Sequence, residues 1–187
     1  MNFSIKKVIS GGQTGADLAG LIAAKNCNIL TGGTAPTNFK TENGQNYDLK
    51  TIYGLVAKGG YKSRTMQNVR DSDGTIAFIV HQGRGGTSKT IGYCATGKWV
   101  NKFETKNDGF KPILVIKKHE MELDQLENVT FKIIKWMQEN KIETLNVAGH
   151  RQSTAFSQPF YNSPPYDYQF RVKTILENAF QMIKKMK

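Results

Sequence analysis

Apolar residues in this chain come as short β-rich runs alternating with stretches of helical spacing. Residues 5–10 predict a buried strand, and residues 16–25 a helix with Leu18, Leu21 and Ile22 on one face. Residues 28–31 predict a second strand that stops at Gly32 and Gly33. Residues 34–45 are polar, hold Pro36 and Gly44, and read as a loop. Residues 47–56 read as a short helix or a continuation of that loop, and residues 64–70 as a helical turn. The run TIAFIV at 75–80 is the clearest buried strand, followed by a glycine loop at 83–88 and a helix to about Gly97. A strand at 112–117 follows. An amphipathic helix at 123–140 then carries Leu126, Val129, Ile133, Ile134 and Met137 on one side. Residues 144–147 predict a further strand, residues 152–165 a proline- and aromatic-rich surface loop, and residues 168–187 a closing helix.

Strands alternating with helices predict an α/β, Rossmann-like three-layer sandwich with a mostly parallel central sheet. Its 187 residues suit a single ligand-binding domain spanning residues 1–187. No run approaches the ~18 apolar residues of a membrane span. The first residues lack a signal-peptide pattern, so a cytoplasmic protein is expected. Cys27 and Cys94 stand apart without metal-ligand spacing. This points to packing roles and a reducing compartment, with no dedicated metal site expected. Net charge is +11, but lysines spread along the chain supply most of it and form no arm. That pattern points away from nucleic acid as a partner.

In an open parallel sheet, ligands sit beyond the carboxyl ends of the strands. Glycine or charge gathers at four such ends in this sequence, residues 11–15, 32–33, 83–88 and 149–151. The first loop, Gly11, Gly12, Gln13, Thr14 and Gly15, offers bare backbone and a helix N-terminus to an anion. It matches neither a Walker A nor a GxGxxG pattern. Gly85, Gly86, Thr87 and Ser88 repeat the logic with hydroxyls, and Arg84 or Lys89 could neutralise phosphate. Arg70 beside Asp71 and Asp73 could grip an oxyanion bidentately or order its own loop in an ion pair. Arg151 and His150 follow the last predicted strand, where the histidine could donate to a ligand.

Together SGGQTGADLAGL (10–21), GGTAP (32–36) with Glu42 and Gly44, NVRDSDGTIAF (68–78), GGTSKT (85–90), KPILVI (111–116) and LNVAGHRQS (145–153) resemble the molybdenum carrier family. That family lies within the SLOG superfamily of Rossmann-like proteins, which also holds lysine-decarboxylase-like and lonely-guy nucleotide hydrolases. The resemblance implies a non-catalytic carrier of a phosphorylated small molecule: molybdenum cofactor (molybdopterin) or a related pterin. It implies a homo-oligomer, dimer or tetramer, with the pocket beside the two glycine loops. By motif match, ligand contact falls on Gly11, Gly12, Gln13, Thr14, Gly15, Arg70, Gly85, Gly86, Thr87 and Arg151, with Asp73 and Ser88 alongside. The chain departs from the family at His150, where proline or a small residue is common, and at Asn38-Phe39, where a basic residue is usual. The alternative is a binder or N-glycosidic hydrolase of a nucleotide or nucleotide-derived signal. The related hydrolases carry GGxGTxxE, whereas this chain reads GGTSKTIG, with Thr90 near the expected acid. Without that carboxylate the pattern leans against catalysis.

Overall fold

The computed structural model describes residues 3–81, 85–100, 105–107, 109–156 and 167–186. Five strands form the central sheet: β1 (Lys7–Ser10), β2 (Leu30–Gly32), β3 (Gly74–Ile79), β4 (Ile113–Lys117) and β5 (Thr144–Gly149). All are parallel, in the order β4-β3-β5-β1-β2. The fold is Rossmann-like, as the sequence pattern predicts. Every residue of β3 is buried, which is why its sequence is a continuous apolar run rather than an alternation.

Two helix groups flank the sheet. α1 (Ala16–Asn26), α4 (Leu126–Glu139) and α6 (Tyr168–Lys185) pack together, and α2 (Tyr61–Arg70) packs with α3 (Gly86–Thr96). The first group closes the main core around Val8, Ile76, Phe78, Ile133, Leu145, Val172 and Phe180. A smaller cluster of Leu21, Ala35, Phe39, Leu49 and Leu55 lies under the 34–57 segment. Asp167 caps α6 by accepting the Phe170 N–H at 2.9 Å, and Gly97 ends α3 in the left-handed conformation.

Several elements differ from the sequence expectations. Residues 34–45 are not wholly loop. Thr34–Ala35 pairs in parallel with Val56–Ala57, and Lys40–Thr41 forms an antiparallel hairpin with Gly44–Gln45. Two-residue strands carry too little periodicity to be read. The second strand starts at Leu30 rather than residue 28, because Asn28 takes φ 51° as the chain leaves α1. The expected turn at 64–70 is a full helix from Tyr61, whose polar first turn hides it from a hydrophobic pattern. Lys98–Val100 pairs antiparallel with Thr105–Asn107, a hairpin outside the sequence expectations. The expected loop at 152–165 begins as a short helix, α5 (Gln152–Phe156); its remainder lies outside the described residues.

The strand order positions the site. The chain moves outward from β1 to β2 and, in the other direction, from β3 to β4. β5 then fills the gap between β1 and β3. The carboxyl ends of β1, β5 and β3 therefore lie side by side at the point where the winding reverses.

Candidate functional site

A cavity of about 420 Å³ opens at those three strand ends, within the ~300–1,000 Å³ span of small-molecule sites. Its walls come from the β1 loop (Gly11, Gln13), the start of α1 (Asp17), α2 (Tyr61, Arg64, Asn68), the start of α3 (Gly85 to Thr90) and the β5 end (Gly149 to Arg151).

The β1 loop is built around its own polar groups. Ser10 Oγ accepts the Gly12 N–H at 3.1 Å, and Asp17 Oδ2 accepts the Gln13 N–H at 3.2 Å. Gln13 Oε1 accepts the N–H groups of Thr14 and Glu42 at 3.1 and 2.9 Å, which fixes the amide orientation. Gln13 Nε2 is then buried with no hydrogen-bond partner among the described residues, on a side chain only 5% exposed that lines the cavity. A buried donor left open costs about 1–3 kcal/mol and is the mark of a position that expects an acceptor.

Gly11 owes its identity to Arg64. A Cβ there would sit 1.0 Å from Arg64 Nη1, because the guanidinium lies across the glycine. The same nitrogen bonds Asp17 Oδ2 at 2.8 Å, in a pair whose side chains are 14% and 6% exposed. Gly15 is required for a different reason: at φ +75° its Cβ would lie 2.4 Å from the His150 carbonyl, so the β1 and β5 loops touch through it. At the second loop, a Cβ on Gly85 or Gly86 would meet no atom within 4 Å, so the backbone faces open space. Helix geometry leaves the first N–H groups of α3 without intrahelical acceptors, and no side chain caps them. Thr87 is anchored away from this space, donating to the Gly149 carbonyl at 2.7 Å.

The structure brings Gly11, Gln13, Gly85, Gly86, Thr87, Ser88 and Arg151 to one cavity. Three others support it from behind. Gly12 packs against Leu49 and Leu55. Thr14 donates to Glu42 and accepts the Gln152 N–H, and the Gly15 N–H donates to Gln169 Oε1 at 2.9 Å. Arg70 and Asp73 are not brought in. α2 runs antiparallel to the strands, so Arg70 at its end lies at the amino end of β3, where its carbonyl accepts from Lys111 Nζ. Asp73 accepts the N–H groups of Glu143 and Thr144 at 3.0 and 2.7 Å, tying the starts of β3 and β5 together. Arg84 lies outside the described residues.

Sequence reading missed Arg64, Asp17 and Glu42 as site residues. Glu42, on the turn of the 40–45 hairpin, accepts from Thr14 Oγ1, the Ser153 N–H and Ser153 Oγ. Burial acts to raise its carboxyl, but the Ser153 and Thr14 hydrogen bonds and nearby Arg151 outweigh this and hold it below the ordinary carboxylate range. Arg151 in turn lies over the Tyr61 ring at 5.5 Å. His150 stacks on His81 with ring centroids 4.5 Å apart. Burial first, and then His81, lower its pKa to about 4. Cys27 and Cys94 are both buried away from the cavity, with thiols pushed up by burial.

Comparison with known proteins is consistent with this geometry. The model of the circularly permutated YpsA SLOG family matches residues 8–158. A solved structure named "Putative molybdenum carrier protein", from Syntrophus aciditrophicus SB, is 30% identical, with a TM-score of 0.72. The match covers 96% of this chain and 97% of that one. No curated protein gives a significant match.

Proposed function

Since this chain belongs to the circularly permuted YpsA SLOG family, in its molybdenum carrier branch, we propose that it binds and carries a phosphorylated small molecule, with molybdenum cofactor or a related pterin first among them. The observation that carries the reading is the convergence of three loops, Gly11 to Gln13, Gly85 to Ser88 and Gly149 to Arg151, on one cavity. The residues present fit such a group. The bare backbone at Gly85 and Gly86 and the α3 N-terminus suit the phosphate. Arg151, rather than Arg70, and exposed Lys89 supply positive charge on the cavity wall, where Arg64 is paired with Asp17. Gln13 Nε2 offers a buried donor to the ring or its linker. A bound cofactor would bring its own metal centre and dithiolene. The protein's part is to hold the phosphate, orient the ring and keep water from it between the loops.

Asp17 favours a second reading, as a binder or hydrolase of a nucleotide. It puts a carboxylate on the cavity wall, although the arginine that pairs with it occupies the same oxygen that receives Gln13 N–H. Elemental analysis of freshly purified protein, with pterin fluorescence after oxidation, tests the first reading. Molybdenum and pterin in equal amounts are expected. Release of free base from nucleoside monophosphates, lost in Asp17→Asn, would replace it with the second.

A further inference from the structure

His150 lines the cavity, and both its backbone and its ring are held in place. Its backbone N–H points to the Phe78 carbonyl at 3.2 Å and the Tyr168 hydroxyl at 3.1 Å. The Tyr168 O–H itself donates to the Phe78 carbonyl at 2.8 Å. The His150 carbonyl accepts the Ala16 N–H at 3.2 Å. Its ring is clamped as well, stacked on His81, with Nδ1 accepting the Val80 N–H at 3.1 Å. A backbone N–H can only donate. Nδ1 therefore carries no proton, and the single ring proton sits on Nε2. Among the described residues Nε2 has no partner. Burial and the neighbouring imidazole keep the ring uncharged near neutral pH.

A chain with 26 lysines and arginines has thus placed an uncharged, donor-only group on a cavity wall that also carries cations and the α3 N-terminus, and an uncharged donor suits an uncharged acceptor better than a phosphate oxygen. We propose that His150 reads the ring of the ligand, its Nε2–H donating to a ring carbonyl oxygen. The ligand class is then an oxo-heterocycle bearing a phosphate: an oxopterin or a 6-oxopurine. An amino group at the same position sets two donors against each other in a buried site, which binding sites of this kind reject. The inference rests on the phosphorylated-ligand reading above.

Two measurements test it. The first is the nitrogen chemical shifts of His150 in the unaltered protein at pH 7: Nδ1 bare and Nε2 protonated are expected. A charged ring or the opposite tautomer overturns the proposal, whatever binds. The second is calorimetric titration with inorganic phosphate, a pterin monophosphate, IMP and AMP. The oxo compounds are expected to bind about tenfold more tightly than AMP, a difference of one buried hydrogen bond. His150→Phe, which keeps a stacking ring, is expected to bring that ratio close to one. His150→Gln, which keeps an N–H donor, is expected to retain part of it. Phosphate binding with no oxo preference, or a preference the Phe variant leaves intact, overturns the inference and spares the phosphate reading. Failure of every phosphate compound to bind removes the phosphate reading, and this inference with it.

Discussion

At the scale of single residues, the cavity is held by a buried ion pair that crosses a glycine. Asp17 and Arg64 are too enclosed for either to lose its partner without cost. Arg64→Ala is expected to destabilise the fold by about 3 kcal/mol or more in urea denaturation, because a buried carboxylate is left unpaired. Gly11→Ala is expected to be destabilising as well, because its Cβ would displace the Arg64 nitrogen that bonds Asp17. His150→Phe removes the acceptor of a buried backbone N–H at Val80, at a cost of about 1–3 kcal/mol. The native His150 has a folded pKa of about 4, below its ordinary value. The unfolded chain therefore takes up the proton first as pH falls. Stability from this group is full above about pH 6.5 and is lost progressively down to about pH 4. Denaturation midpoints across that window should slope less in His150→Phe than in the native protein.

At the scale of elements, the site depends on how helix ends and a hairpin meet the sheet. Gly86→Val at the α3 N-terminus puts bulk into space that holds no protein atom, at a residue without positive φ. The fold should survive with an unchanged melting curve while ligand retention, read by native mass spectrometry, is abolished. The 40–45 hairpin acts as a strap, Glu42 joining the β1 loop to the start of α5. Its carboxyl is held low, so the strap's contribution is present above the ordinary carboxylate range and lost as pH falls below it. In Glu42→Gln that acid-dependent loosening, followed by amide exchange of residues 13–15, should disappear. The five central strands and both glycine loops were legible in the sequence, because buried apolar runs and glycine pairs are local signals. The charged partners were less so. Arg64 and Arg70 sit on one helix about 9 Å apart along its axis, at opposite ends of the sheet. Arg70 adjoins a strand junction in the sequence and Arg64 does not, so local position pointed to the arginine that does not reach the cavity. Glu42 was equally hidden, since its hairpin has strands of two residues and its partners lie 28 and 111 positions away.

At the scale of the whole molecule, the five strands form one hydrogen-bonded sheet with a common core, so unfolding should be a single transition. Far-ultraviolet dichroism and tryptophan fluorescence are expected to give coincident urea curves. Separated curves would show the 34–57 cluster melting independently of the main core. No described helix is long and apolar enough to cross a membrane. The position of β5, last of the five strands yet seated between β1 and β3, has a consequence for biosynthesis. While the ribosome has made only the first four strands, β1 with β2 and β3 with β4 exist as two separate ribbons. Each ribbon bares an apolar edge, and no cradle lies between them. Residues 144–149 join the ribbons in a single late event across a long sequence separation, a slow kind of closure. A nascent chain can therefore neither form the cavity early nor mature by halves. Until that strand docks, two sticky margins stand open to pairing with neighbours.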